Sequence, residues 1–306
     1  MIQYFENGLL LEDGAVFRNL QVVPESLVRT NQGSVRLHNW KGLFRIQLTF
    51  KKAGLNRSVT YLKVHTSYRG YYHWLLECLP RLLEGLRAAA PFTLLLPASY
   101  TDTFYIDTLR LLGVTKVEWL YPNTVYKVPR LALAYFEETM GNYSAQALHQ
   151  LKHVMLEAIK SAPAPHEATR LYISRRQATR RKVLNEAEVE QVLKDAGFQI
   201  FCFEDYAFEE QVRLCAAADV LVGIHGAGLS NMVFLQEKAT VVEFRKFDGG
   251  ENYFFERLAT TLSHEYHLLY CAAGDEQQSV QDADLVVDVQ ALREILGQLP
   301  PLLGAG

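Results

Sequence analysis

Apolar and polar residues change rhythm along this chain, and the changes divide it. Up to about residue 60 the apolar positions come in short alternating runs, such as Ser34-Val35-Arg36-Leu37-His38 and Phe44-Arg45-Ile46-Gln47-Leu48, broken by Gly14, Gly33, Gly42 and Gly54. A two-residue period with glycine punctuation predicts strands and hairpins, so residues 1–60 read as a β-rich segment. From 61 to 160, apolar runs of strand length (Tyr61–His65, Phe92–Leu96, Val117–Leu120, Leu131–Tyr135) alternate with helical periodicity near 71–89, 102–112 and 144–160. Strands alternating with helices build a mostly parallel sheet covered on both faces.

The stretch Ser161-Ala162-Pro163-Ala164-Pro165-His166 cannot continue a helix, and it sets the expected boundary between domains 1–160 and 161–306. Beyond it come strand Leu171–Ser174, helix Asn185–Ala196, strand Phe198–Phe203, helix Phe208–Ala218 and strand Val220–Ile224. Helix Leu229–Leu235, strand Thr240–Phe244, helix Asn252–Leu262, strand Tyr266–Tyr270 and helix Val289–Leu299 follow. The expectation is an α/β protein of two Rossmann-like domains facing a cleft, the default ligand site, with the β-rich segment at its N-terminus.

Composition narrows the partners. A 306-residue chain that is 49% hydrophobic can give each of two domains its own core. With 31 Lys and Arg against 34 Asp and Glu, the net charge of −3 excludes a general affinity for nucleic acid or an anionic membrane. Any polyanion site must therefore be local. Cys78, Cys202, Cys215 and Cys271 lack C-x-x-C or metal-finger spacing and read as reduced thiols. The N-terminal residues lack a basic region and apolar core, and no run approaches eighteen apolar residues, so a cytoplasmic location is expected. Peripheral docking on a membrane is compatible with the sequence, although no basic amphipathic segment demands it.

Three clusters carry candidate chemistry. In Gly223-Ile224-His225-Gly226-Ala227-Gly228-Leu229-Ser230-Asn231, after the apolar run 219–222, glycines let backbone approach a ligand, and a helix N-terminus offers unpaired N–H groups to phosphate. The same residues would also make a plain tight turn. They do not match G-x-G-x-x-G, and the chain has no G-x-S-x-G, which disfavours a dinucleotide site and a hydrolase. The second cluster runs from Arg170 to Lys182, with six basic residues and no acid, five of them beyond the end of a strand. Open α/β sheets bind ligands at that edge, and arginine's planar fork suits phosphate. The third is Tyr71 to Glu84, which places apolar residues 72, 75, 76, 79, 82, 83 and 86 on one helical face and His73, Glu77, Arg81 and Glu84 on the other. Pro80 is expected to kink or restart that helix. His73 and Glu77, one turn apart, make a candidate general base with a carboxylate partner.

In this order, the three clusters resemble the family 61 glycosyltransferases, over about Tyr61 to Phe244. The family pattern Tyr-His-Trp-Leu-x-(Asp/Glu)-x-Leu-Pro-Arg is matched by Tyr72 to Arg81. Tyr-Ile-Ser-Arg-Arg, a second basic group and Asn-Glu are matched by 172–176, 180–182 and Asn185-Glu186; His-Gly-Ala-Gly-Leu-x-Asn and Val-x-Glu by 225–231 and 241–243. Two departures are Gly70, where the family often has Asn, and Gln236 to Ala239, where it often has Pro-Gly. The first bears on the acceptor side.

The resemblance implies a GT-B-like architecture with the donor in the C-terminal domain, and an inverting, metal-independent transfer with no cofactor. Its substrates would be a nucleoside-diphosphate sugar, expected to be UDP-linked, and a glycan acceptor, in capsular or cell-surface polysaccharide synthesis. Without metal, the charge on the departing diphosphate must be met by Arg175, Arg176, Arg181 and the loop residues Gly226, Ala227, Gly228, Leu229 and Asn231. Asn185 joins the donor side through its motif, and Glu243 is expected to accept from ribose hydroxyls. Tyr72, Trp74 and Arg81 are placed on the acceptor side, and the base stays open among His73, Glu77 and His225. The only Asp-x-Asp, Asp282-Ala283-Asp284, lies in a polar stretch and reads as structural. Two other classes are considered: a non-catalytic nucleotide- or glycan-binding module, which would not need His73 and Glu77, and a nicotinamide-dependent oxidoreductase, which the loop spacing disfavours.

Overall fold

The computed structural model describes residues 1–19, 21–27, 50–66, 68–88, 91–135, 141–159, 169–247, 253–280 and 282–299. The runs at 34–38 and 44–48 and the proline-rich stretch 161–166 lie outside them. The chain is a mixed α/β protein of two units, Met1–Ala158 and Ile159–Gly306, each organised on its own sheet.

The first sheet contains β1 (Ile2–Leu10), β2 (Val16–Arg18), β3 (Gln21–Val22), β4 (Lys51–Gly54), β5 (Thr60–Lys63), β6 (Phe92–Pro97), β7 (Val117–Leu120) and β8 (Thr124–Ala134). Its order is β3-β2-β1-β8-β5-β6-β7. The described N-terminal strands thus extend the same sheet as the α/β part: β1 runs antiparallel to β8, while β4 and β5 lie parallel to its first and last thirds. Pro129 falls in the interval between β4 and β5, and the β1 register skips it opposite Asn7, whose φ is 57°. A residue without an N–H is tolerated there because no ladder bond is lost. In the parallel part, β7-β6-β5-β8, chain direction across the sheet reverses between β5 and β8, the kind of switch point where open α/β sheets bind ligands.

The segment after β5 forms one helix, 71–87, with α-helical turns at Tyr71–His73 and Leu79–Arg87 and a π-helical turn at Trp74–Cys78. The disturbance expected at Pro80 takes this form. Proline donates nothing and its ring crowds the preceding turn, and just ahead of it the Leu79 N–H reaches back five residues to the Trp74 carbonyl. Gly85 lets the helix lie on β5, since a Cβ there would meet Leu62 Cδ2 at 2.3 Å.

The second sheet contains β9 (Arg170–Ile173), β10 (Gln199–Phe201), β11 (Val220–Ile224), β12 (Thr240–Lys246), β13 (Glu265–Ala273) and β14 (Leu285–Val286), in the order β10-β9-β11-β12-β13-β14. All pairs are parallel except β13 with β14, and direction reverses between β9 and β11. Val222, Val242, Phe244 and Leu269 form a core on one face with helices Glu186–Asp195 and Val289–Leu296. The helix expected at 229–235 is a 3-10 helix, Ala227–Phe234, with buried Leu229, Met232, Val233 and Phe234 against the sheet. Among the described residues no helix is long and apolar enough to cross a membrane.

Two ionisable groups are buried where β5 ends. Lys63 is 3% exposed and its Nζ donates to the Ser26 carbonyl at 2.9 Å. Burial first, then the Arg81 charge, lowers its pKa from 10.5 to about 7. His65 is fully buried, with Nδ1 3.0 Å from the Leu95 carbonyl, and burial followed by Lys63 lowers it from 6.5 to about 3. In both cases the folded state binds the proton less well than the unfolded chain, so stability rises with pH across each interval. For Lys63 that interval is pH 7 to 10.5. Raising the pH from 7 to 9 is expected to add about 2 kcal/mol through Lys63. Urea titrations at the two pH values should show that increment in the native chain and lose it in Lys63→Met.

Candidate functional site

Each unit holds a histidine–carboxylate pair at the carboxyl ends of its strands. In the first, helix 71–87 starts after Gly70, whose φ of 110° suits glycine and whose N–H donates to Tyr105 Oη at 3.1 Å. One turn in, His73 Nδ1 lies 3.0 Å from Glu77 Oε2, with side chains 19% and 11% exposed. These are not the solvated stripe of an amphipathic helix. A carboxylate beside Nδ1 takes the proton there and leaves the Nε2 lone pair available. Glu77 Oε1 is buried with no hydrogen-bond partner. Tyr68 stacks on His73 at 5.0 Å between centroids, Tyr72 meets it edge-on, and the Tyr72 and Tyr143 hydroxyls hydrogen-bond to each other. Burial holds the Tyr72 phenol well above its ordinary pKa, so it acts as a neutral group. Tyr143 follows β8, and His73 follows β5, so the cluster gathers at the switch point of this sheet.

Two expected acceptor-side residues are placed differently. Trp74 is 1% exposed, its indole N–H donates to Thr108 Oγ1 at 2.8 Å, and its ring packs edge-on against Tyr100 and Tyr105. Trp74 is therefore packed in the core of the first unit. Arg81 donates to the Glu77 carbonyl at 3.0 Å and pins the same turn.

In the second unit the basic loop and the glycine loop meet at the switch point between β9 and β11. Arg181 Nη1 donates to the His225 carbonyl at 3.1 Å, an approach that Gly226 permits: a Cβ there would stand 3.3 Å from the same nitrogen. Arg175 Nη2 donates to the Arg180 carbonyl at 3.4 Å. Arg175 and Arg181 are half-buried, and in each the Nε is buried without a partner. Burial, then the neighbouring arginines Arg175 and Arg180, lowers Arg181 from 12.5 to about 10, and burial lowers Arg175 as well. Partly desolvated guanidinium groups that repel one another are the kind that an anion can neutralise. Ala227 and Gly228 are the partly exposed residues of the adjoining loop, at the start of the 3-10 helix.

The loop histidine is oriented from below. Glu243, on β12, is 1% exposed; its Oε1 accepts from His225 Nδ1 and its Oε2 from the Tyr266 hydroxyl. Glu243 was expected to accept from ribose hydroxyls; here both of its oxygens are engaged inside the protein, by His225 and Tyr266. Phe255 packs edge-on against the His225 ring at 5.3 Å.

Several other expected donor-side residues have partners within the protein or lie in its core. Arg176 is exposed and ion-pairs with Glu190. Asn185 donates to the Val287 carbonyl and accepts from the Val287 N–H, which ties down the C-terminal segment. Asn231 is fully buried and donates to the Gly228 carbonyl at 3.0 Å, and Leu229 fills the core against Gly223. Asp282 pairs with Arg180, and Asp284 accepts from the Lys182 N–H, so this triplet fastens the basic loop. Among the described residues no three His, Cys, Asp or Glu side chains form a group that could hold a metal. Sequence reasoning missed Tyr68, Tyr143 and Tyr266, which lie outside the three motifs.

The sequence profile of the glycosyltransferase 61 family matches residues 71–242, more than half of the chain. The chain is 28% identical over 133 residues to the EGF domain-specific O-linked N-acetylglucosamine transferase of Xenopus laevis, covering 42% of this chain and 24% of that protein. It is 30% identical over 106 residues to the Bos taurus protein of the same name, covering 33% and 19%. To the alpha-1,3-arabinosyltransferase XAT3 of Oryza sativa subsp. japonica it is 34% identical over 88 residues, covering 28% and 15%. The chain spans about a quarter or less of each relative's length.

Proposed function

The chain belongs to the glycosyltransferase 61 family, and from that premise we propose that it transfers a sugar from a nucleoside-diphosphate sugar to a hydroxyl of a glycan acceptor. The observation that carries the proposal is the pair of half-buried arginines, Arg175 and Arg181, beside the Gly226–Gly228 loop. A diphosphate would satisfy these donors and relieve their mutual repulsion, and the charge growing on it as the glycosidic bond breaks would deepen the attraction.

The reaction we propose is a single displacement. The acceptor oxygen bonds to the anomeric carbon, the carbon–oxygen bond to the diphosphate breaks with its electron pair, and the hydroxyl proton passes to His73 Nε2. Glu77 would hold the resulting imidazolium, as its contact with Nδ1 allows. Inversion follows from one displacement, and arginines in place of a divalent cation make the reaction metal-independent. The engagement of Asp282 and Asp284 with the basic loop supports that reading. Within it, the units are the two Rossmann-like halves of a GT-B enzyme, the first taking the acceptor and the second the donor. We assign a UDP-linked donor and a role in capsular or cell-surface polysaccharide synthesis as the working case. The His73–Glu77 pair favours an enzyme over a binding module, which would have no use for it.

The test is a thermal-shift series with UDP, GDP, CMP, TDP and NAD, each with and without EDTA. A nucleotide that binds only the folded state at a hundred times its Kd adds about 2.7 kcal/mol of stability. One nucleoside diphosphate should stabilise the chain unchanged by EDTA. Stabilisation by NAD alone, or by none of the five, would overturn the proposal, and loss of the UDP effect in EDTA would overturn its metal-independent form.

A further inference from the structure

Tyr266 lies outside the three motifs and beyond the stretch that the family profile matches, yet it completes a polar chain behind the glycine loop. The register explains how. On the parallel pair β12 and β13, Val241 stands opposite Tyr266 and Glu243 opposite Leu268, so Tyr266 and Glu243 project from the same sheet face one diagonal step apart. On the other side Gly223 stands opposite Glu243, and His225 lies two residues further along that face. The Glu243 carboxylate is therefore held between two donors: Tyr266 from the amino-terminal direction of the strands and His225 from the carboxyl end.

The energetics of that arrangement are one-sided. Glu243 is 1% exposed, so each oxygen depends on its protein partner. Burial, then the Glu243 charge, holds the Tyr266 phenol well above its ordinary pKa, which keeps its O–H as a donor. With Oε2 anchored by that donor, Oε1 faces His225 Nδ1 and fixes the proton on it. Without the anchor, the buried carboxylate is left with an unmet oxygen and gains by rotating toward other donors.

We propose that Tyr266 is a positioning residue: through Glu243 it fixes the tautomer and ring orientation of His225, so that Nε2, left without a proton, is presented as an acceptor to a hydroxyl of the substrate bound beside Arg181 and the Gly226–Gly228 loop. The proposal rests on the transferase reading for its effect on rate, but not for its effect on the histidine. Tyr266→Phe keeps the ring and removes only the donor, and Glu243→Gln replaces the carboxylate that demands the Nδ1 proton.

The experiment is ¹⁵N nuclear magnetic resonance of the nine-histidine chain labelled at histidine, with the His225 signals assigned by their loss in His225→Gln. The native protein should show His225 as the Nδ1–H tautomer, and both Tyr266→Phe and Glu243→Gln should move it toward a mixture. In parallel, Tyr266→Phe should lower kcat by about tenfold with the donor KM unchanged, the scale expected for removing a group that orients an active histidine. An unchanged His225 tautomer in Tyr266→Phe overturns the proposal whatever the activity, as does a changed tautomer with kcat unaffected in an enzyme that transfers sugar. A tautomer changed in Tyr266→Phe, with a native chain that transfers no sugar, supports the positioning role and defeats the transferase reading instead. If Tyr266→Phe does not fold, Tyr266→Leu is read in its place, and an Nδ1–H tautomer that survives there overturns the chain of influence.

Discussion

Replacing His73 by alanine is expected to lower turnover by about 10²- to 10⁴-fold, the range in which a positioned general base contributes, while leaving donor affinity at the native value. The separation follows from where the residues sit. His73 and Glu77 belong to the first unit, and the arginines proposed to hold the diphosphate belong to the second. Glu77→Gln should be milder but clear, because an amide can still touch Nδ1 and can no longer balance an imidazolium. Its buried Oε1 has no partner in the native protein, so the exchange leaves existing hydrogen bonds on that side untouched. Measurement of nucleotide release under saturating donor, with calorimetry for donor binding, separates the two effects. If His73→Ala and Glu77→Gln both keep near-normal turnover while binding donor, the base lies elsewhere, and His225 is the next group to test.

What the sequence could and could not disclose follows from the range over which each signal acts. The glycine loop and the basic loop were readable because their constraints are local: Gly226 must be small where Arg181 crosses it, and both lie within a few residues of a strand end. The mixed α/β character of the second unit was readable, since strands alternate there with helices. The attachments of the loop residues were not. Glu243 is 18 positions from His225 and Tyr266 is 23 from Glu243, and only strand pairing brings them together. Glu243 read alone looks like a strand-end glutamate facing a ligand. Asn185 has the same difficulty, because its partner Val287 is 102 residues away on a segment with no motif. Trp74 was placed on the acceptor side through the family motif alone, and the residues that pack against it, Tyr100 and Tyr105, lie 26 and 31 positions further along the chain. The apolar face read across Pro80 is buried at Leu75, Leu76, Leu79, Leu82 and Leu83, so that reading holds through the π turn at Trp74–Cys78.

Arg181→Ala is expected to lower turnover by at least about 10²-fold, as the loss of a preorganised donor to a developing anion does. It should also abolish the nucleotide-induced thermal shift. Arg181 adopts a left-handed backbone conformation, φ 56°, that places its guanidinium over Gly226, where Nη1 is committed to the His225 carbonyl and Nε is buried without a partner. One planar group therefore joins the glycine loop and the proposed phosphate, which lysine cannot imitate with a single point charge. Arg181→Lys should recover little of the activity. The ligand-free protein should respond in the opposite sense. Removing Arg181 relieves its repulsion with Arg175 and Arg180, the same effect that lowers its pKa, so the apo melting temperature should hold or rise. Arg176→Ala is the control, since its side chain is exposed and paired with Glu190, and it should leave kcat within a few-fold of native. A structural role for Arg181 would give the reverse pattern: a lower apo melting temperature, with normal turnover in whatever protein remains folded.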